Sequence, residues 1–155
     1  MLSFNLLGLK EGINPLEIKL SGELPLFRQL DVDLAGTGTL SGTIDKRDDN
    51  LYLLHLSLRV PVYFACRRCL ETFVEEVRSD FTVVAMRRGS RDDEGFGEED
   101  VILLEPKKNE LHLEEYAREF FLLNLPSFPL CREDCRGICA GCGADLNKNN
   151  CSCVG

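Results

Sequence analysis

The chain has 155 residues, 44% hydrophobic and 28% charged, which is enough material for one core and a small appendage. Its 26 acidic against 18 basic residues give a formal net charge of -8. That disfavours a general electrostatic grip on nucleic acid, which needs clustered Lys and Arg, and leaves local patches open.

Met1 to Gly12 shows no basic n-region, sustained apolar run or small-residue cleavage site, and no stretch reaches the length of a membrane span. A cytoplasmic protein with reduced cysteines and no membrane partner is therefore expected. Leu16, Ile18 and Leu20 alternate as a short strand would. Leu24 to Leu30 reads as either a short helix or a turn. From Asp31 the period is 2: Val32, Leu34, Gly36, Gly38, Leu40, Gly42 and Ile44 on one side, Asp31, Asp33, Thr37, Thr39, Ser41, Thr43 and Asp45 on the other. Glycines on the apolar side imply a bent strand approached closely by something bulky. The run from Gly36 to Gly42 lacks both the Lys-Ser/Thr pair of a P-loop and dinucleotide-fingerprint spacing, so a nucleotide loop is set aside.

Asp48, Asp49 and Asn50 make a turn. A second strand presents Tyr52, Leu54, Leu56, Leu58, Val60, Val62 and Phe64 on one face and ends at Cys66-Arg67-Arg68-Cys69. A third returns with Phe73, Val77, Phe81, Val83 and Ala85 on one face, giving an antiparallel meander. Arg87 to Asp100, charged and glycine-containing, reads as a mobile loop, and Val101 to Leu104 as a short strand. Leu113, Tyr116, Ala117, Phe120 and Phe121 recur at helical spacing, with Glu114 four residues before Arg118. Pro126 stops that helix and Pro129 keeps the chain extended. The expected fold is α+β: a predominantly antiparallel β meander, one helix of the C-terminal half packed on it, and a small zinc-ribbon tail. The main domain is expected at 1–130 and the tail at 131–155, with Cys131 and Cys135 shared.

The eight cysteines fall in pairs: Cys66 and Cys69, Cys131 and Cys135, Cys139 and Cys142, Cys151 and Cys153. Zinc takes four soft ligands at the corners of a tetrahedron, and a two-residue gap lets both thiolates of a pair face one ion. Gly143 supplies the positive backbone angle such a knuckle often needs. Two zinc ions are expected. Cys139, Cys142, Cys151 and Cys153 can close locally, which leaves Cys66, Cys69, Cys131 and Cys135 to tie the hairpin tip to the chain leaving the helix. A crossed partition, the hairpin pair with Cys139 and Cys142, stays open. Disulfides compete less well without a secretory signal, and a redox CxxC would open a helix rather than join two strands. His55 and His112 sit in no metal or nucleophile motif, and acids such as Asp92, Asp93 and Glu94 form a solvated cluster. A closed four-cysteine site has no open coordination position, so no enzyme and no small-molecule substrate are expected.

Cys66-Arg67-Arg68-Cys69-Leu70-Glu71 after a strand, Leu125-Pro126, Pro129-Leu130-Cys131 and the tail from Cys135 to Cys153 resemble the YceD-like proteins linked to accumulation of bacterial large-subunit ribosomal RNA. The resemblance covers roughly Leu51 to Cys153, and Ala140 stands where members commonly have proline. Some members lack the final ribbon yet keep the hairpin pair and ligands near Cys131 and Cys135, which supports the first partition. The resemblance implies a non-enzymatic ribosome-biogenesis factor promoting synthesis, processing or stability of 23S ribosomal RNA. Two partners stay open: precursor ribosomal RNA, gripped by Arg67, Arg68, Arg132 and Arg136 around a shared zinc, or a basic large-subunit ribosomal protein shielded by the acidic bulk. The alternative is a zinc-ribbon protein-interaction module outside ribosome assembly.

Overall fold

The computed structural model describes residues 2–87, 100–151 and 153; of the segment read as a mobile loop, Arg87 to Asp100, residues 88–99 lie outside the described residues, whereas Arg87 ends one strand and Asp100 begins another. A long hairpin dominates. Strands β5 (Leu51–Ala65) and β6 (Thr72–Arg87) pair antiparallel along their length, from Leu51 opposite Met86 to Ala65 opposite Thr72. The period-2 sequence dictates this: Tyr52, Leu54, Leu56, Leu58, Val60 and Val62 are buried, while His55, Arg59 and Tyr63 face out. Strands β4 (Gly38–Lys46) and β2 (Gly12–Leu20) extend the sheet antiparallel on one side, and β3 (Asp33–Leu34) pairs with the far end of β5.

On the other side β7 (Asp100–Leu104) joins β6 in parallel, Val83 opposite Asp100 through Arg87 opposite Leu104. The meander thus ends in a parallel edge strand. A parallel return needs a connection of roughly a dozen residues, the length of chain that 88–99 supplies.

Gly42 explains the glycines of β4. Its φ is 152°, and a Cβ there would run into the carbonyl oxygen of His55. What approaches closely is the backbone of β5, not a bulky side chain. At Gly38 an added Cβ would stand 3.1 Å from the Arg59 oxygen.

Helix α1 (Glu114–Leu123) closes the core face, and a 3-10 turn at Pro25–Phe27 resolves the ambiguous segment before Asp31. Ala117 and Phe121 are fully buried; Phe121 meets Phe27 edge-on at 5.6 Å, and Phe120 stacks on Phe81 at 4.4 Å. The buried Ser79 hydroxyl donates to the Phe120 carbonyl at 2.9 Å. The Glu114–Arg118 pairing suggested by spacing does not form. Glu114 Oε2 accepts from the Leu2 amide at 3.2 Å, and Arg118 Nη1 donates to the carbonyls of Pro25, Leu26 and Arg28. Exposed ion pairs are weak, whereas carbonyls of a tight turn need a donor.

The weakly patterned start of the chain is put to use. Strand β1 (Ser3–Asn5) pairs antiparallel with β8 (Glu110–His112), carrying buried Leu2 and Leu6 into the core beside the helix. Among the described residues no helix is long and apolar enough to cross a membrane.

Candidate metal centre

The turn between β5 and β6 is a knuckle. The Cys66 amide donates to the Glu71 carbonyl at 2.8 Å, the Leu70 amide to the Cys66 carbonyl at 2.9 Å, and Leu70 takes a φ of 64°. That left-handed residue turns the chain back, so Cys66 and Cys69 share one side. The chain leaving α1 is drawn to it: the Arg67 amide donates to the Pro129 carbonyl at 2.9 Å, and Arg68 Nη1 donates to the Glu133 and Cys135 carbonyls at 3.2 and 3.1 Å. The Cys66 and Cys135 sulphurs then stand 3.7 Å apart, as do those of Cys69 and Cys131. All four sulphurs lie within 4.8 Å of one another. Cys66, Cys69 and Cys135 are buried against Phe73 and Leu130, so this quartet continues the end of the core.

The second knuckle repeats the first with glycine in the strained place. The Gly143 amide donates to the Cys139 carbonyl at 2.8 Å, and Gly143 has a φ of 74°. A small ribbon carries it, with the Cys139 amide on the Ala144 carbonyl, the Leu146 amide on the Gly137 carbonyl, and a bridge between Ile138 and Asp145. Cys151 Sγ stands 3.2 Å from Cys142 Sγ and 3.3 Å from Cys139 Sγ, and with Cys153 the four again lie within 4.8 Å. Cys139 is buried, Cys142 and Cys153 are exposed. Ala140, the departure from proline, is an exposed knuckle position.

The donor chemistry suits a thiophilic ion. All eight thiols are free, and their nearest separations exceed the roughly 2.0 Å of a disulfide. Sulphurs around a tetrahedral zinc, with Zn–S near 2.3 Å, lie about 3.8 Å apart. The nearest pairs of the first quartet, at 3.7 Å, meet that spacing, and those of the second, at 3.2 and 3.3 Å, are tighter. Backbone and side-chain N–H groups point at the sulphurs: the Gly141 amide at Cys139 (3.4 Å), the Cys153 amide at Cys151 (3.2 Å) and Asn147 Nδ2 at Cys135 (3.3 Å).

Those donors split the thiols. Burial would raise Cys66, but the amides of Cys69, Cys131 and Arg68 outweigh it and bring it down to about 6. The Cys142 amide, then the Cys151 sulphur and the Gly141 amide, bring Cys139 down to about 7. Burial and then the crowding sulphurs of Cys69, Cys135 and Cys66 push Cys131 up to about 12. At Cys151 the Cys153 amide favours the thiolate, yet the sulphurs of Cys142, Cys139 and Cys153 prevail and push it up to about 12. Each quartet thus holds one thiol drawn toward the thiolate beside another held toward the neutral form. Both quartets can hold metal ions.

The four arginines near the hairpin quartet do not act alike. Arg68 is exposed but committed to the Glu133 and Cys135 carbonyls beside the quartet. Arg132 is held by Asn147 Oδ1 at 2.6 Å and by Asp134 at 3.4 Å. Arg67 and Arg136 are exposed, their backbone amides serving Pro129 and Asn147. The residues that join ribbon to hairpin escaped sequence reasoning. They are Asn147, Gly137 and the 2.7 Å ion pair of Lys148 with Glu71. The only signal was Asp145-Leu146-Asn147, which reads as a turn. His55 lies on the exposed sheet face beside Thr82 (3.2 Å) and His112 on β8; neither approaches a quartet.

A sheet scaffold with a hairpin knuckle and a ribbon, each bringing four thiols around one point, defines a scaffold with two four-cysteine centres. Comparison gives it a family. The family model described as "Large ribosomal RNA subunit accumulation protein YceD" matches residues 54–155, a stretch that contains all eight cysteines, and the chain belongs to that family. It is similar to "Large ribosomal RNA subunit accumulation protein YCED homolog 1, chloroplastic" of Arabidopsis thaliana, at 26% identity over 120 residues. That match covers 62% of this chain and 37% of the relative, so the chain spans well under half of the relative's length. No solved structure matches.

Proposed function

We propose that this chain is a non-enzymatic ribosome-biogenesis factor that promotes synthesis, processing or stability of 23S ribosomal RNA in the cytoplasm. The carrying observation is the family match, because it spans both cysteine quartets and so includes the built site. In this reading Cys66, Cys69, Cys131 and Cys135 hold one zinc, and Cys139, Cys142, Cys151 and Cys153 hold another. Both ions are structural, since four thiolates fill a tetrahedral shell and leave no position for substrate or water. Residues 1–130 form the main domain and 131–155 the tail that the first ion pins to it.

The partner is precursor ribosomal RNA met on a small face, or a basic large-subunit ribosomal protein. Two features favour the protein. The net charge is -8, and two of the four arginines around the hairpin quartet are spent on the chain's own oxygens, leaving Arg67 and Arg136 for phosphate. Sucrose-gradient fractionation with 23S ribosomal RNA quantified after depletion tests the role. Co-sedimentation with precursor large subunits and a fall in 23S are expected; normal 23S with no association contradicts it.

A further inference from the structure

We propose that Asn147 is a positioning residue through which the tail quartet tightens metal binding at the hairpin quartet. This rests on the metal occupancy proposed above. Asn147 sits between Cys142 and Cys151, so an ion that closes the tail quartet also closes the loop carrying it. Its side chain reaches out of the tail. Nδ2 donates to Cys135 Sγ at 3.3 Å, while Oδ1 accepts from Arg132 Nη2 at 2.6 Å and from the Arg136 amide at 2.9 Å. That orientation of the amide is the consistent one, because the flipped form would set its NH2 group against two donors.

The loop is held from several sides. The Asn147 amide donates to Asp145 Oδ1 at 2.9 Å, and Lys148 pairs at 2.7 Å with Glu71, the residue just before β6. Gly137, with a φ of 76°, lets ribbon and hairpin meet: a Cβ there would stand 3.3 Å from the Arg68 oxygen. An N–H donor on a ligating thiolate disperses its charge and fixes its direction. Loss of such an outer contact typically weakens metal affinity about 10- to 100-fold. The coupling is reciprocal: whatever the tail ion does for the hairpin site, the hairpin ion does for the tail.

The test uses the full reduced chain loaded with Co(II), whose thiolate charge-transfer absorption reports sulphur ligation, titrated against a competing chelator. Asn147→Asp keeps an acceptor for Arg132 and the Arg136 amide but removes the donor to Cys135. Asn147→Ala removes both. Cys142→Ser with Cys151→Ser disables the tail site. Each of the three is expected to weaken Co(II) at the hairpin site about 10- to 100-fold. Adding Asn147→Asp to the two serine substitutions is expected to weaken it no further. Unchanged hairpin affinity in Asn147→Asp or in the serine pair, or fully additive losses, would overturn the coupling and leave the metal reading standing. A wild-type chain that binds no Co(II) would remove both.

Discussion

The sulphur of Cys66 stands 3.7 Å from that of Cys135, although 69 residues separate them. One belongs to the hairpin turn and the other to the chain beyond helix α1, so an ion between them closes a loop containing β6, β7, β8 and the helix. Such closure removes chain entropy from the unfolded state. Cys66→Ala is expected to destabilise the main domain by about 2–5 kcal/mol, the scale of a lost cross-link. Cys151→Ala opens the short tail loop and reaches the sheet only through a weakened hairpin site, so it is expected to lower the sheet's unfolding midpoint less. Thermal unfolding followed by circular dichroism in the presence of zinc separates the two, and equal falls would contradict the grouping.

Leu70 holds a left-handed backbone with its side chain 65% exposed, so little packing offsets the strain. The corresponding place in the second knuckle is Gly143. Leu70→Gly removes a backbone cost of about 1–2 kcal/mol and gives part of it back as unfolded-state entropy. A net gain of about 0.5–1 kcal/mol in denaturant unfolding is expected. A loss would contradict the backbone strain assigned to Leu70.

Gly42 has the opposite character. A methyl group there meets the His55 carbonyl inside the β4–β5 ladder, where neither strand can move without breaking register. Gly42→Ala is expected to cost roughly 2–4 kcal/mol by chemical denaturation. A cost below about 0.5 kcal/mol would place it among ordinary surface changes and refute the close approach.

The two quartets differ in access. Cys66 is fully buried, and Cys69 and Cys135 nearly so, whereas Cys142 and Cys153 of the tail are exposed. A chelator reaches the tail first. Release followed with a zinc-sensitive dye is expected to be biphasic, with amide exchange rising in the tail during the fast phase and the β5–β6 hairpin still protected. Simultaneous loss of both ions would contradict this.

Much of the sheet could be read before the structure, because Tyr52 through Val62 alternate over a long run and a one-residue slip would expose the whole apolar row. The helix was legible from Ala117 and Phe121 for the same reason. Pairings that carry no periodic signal were not. Strands β1 and β8 are three residues each and find one another across the chain, and β7 could be seen as a strand but not as a parallel one. Charge was misleading at short range: Arg118 prefers the carbonyls of the Pro25–Phe27 turn to Glu114, and Arg68 and Arg132 are taken up by the chain's own oxygens. Spacing paired the cysteines because each knuckle is local, but left open which pairs share a point. Asn147 could be read only as part of a turn, because its contact with Cys135 is one that only folding creates.

Native mass spectrometry of the purified full chain, kept reducing throughout, tests the metal reading most directly. About two zinc ions per chain with all eight thiols reduced are expected from four-ligand closure. A folded chain carrying no metal, or one whose cysteines are joined as disulfides in the cell, would contradict it.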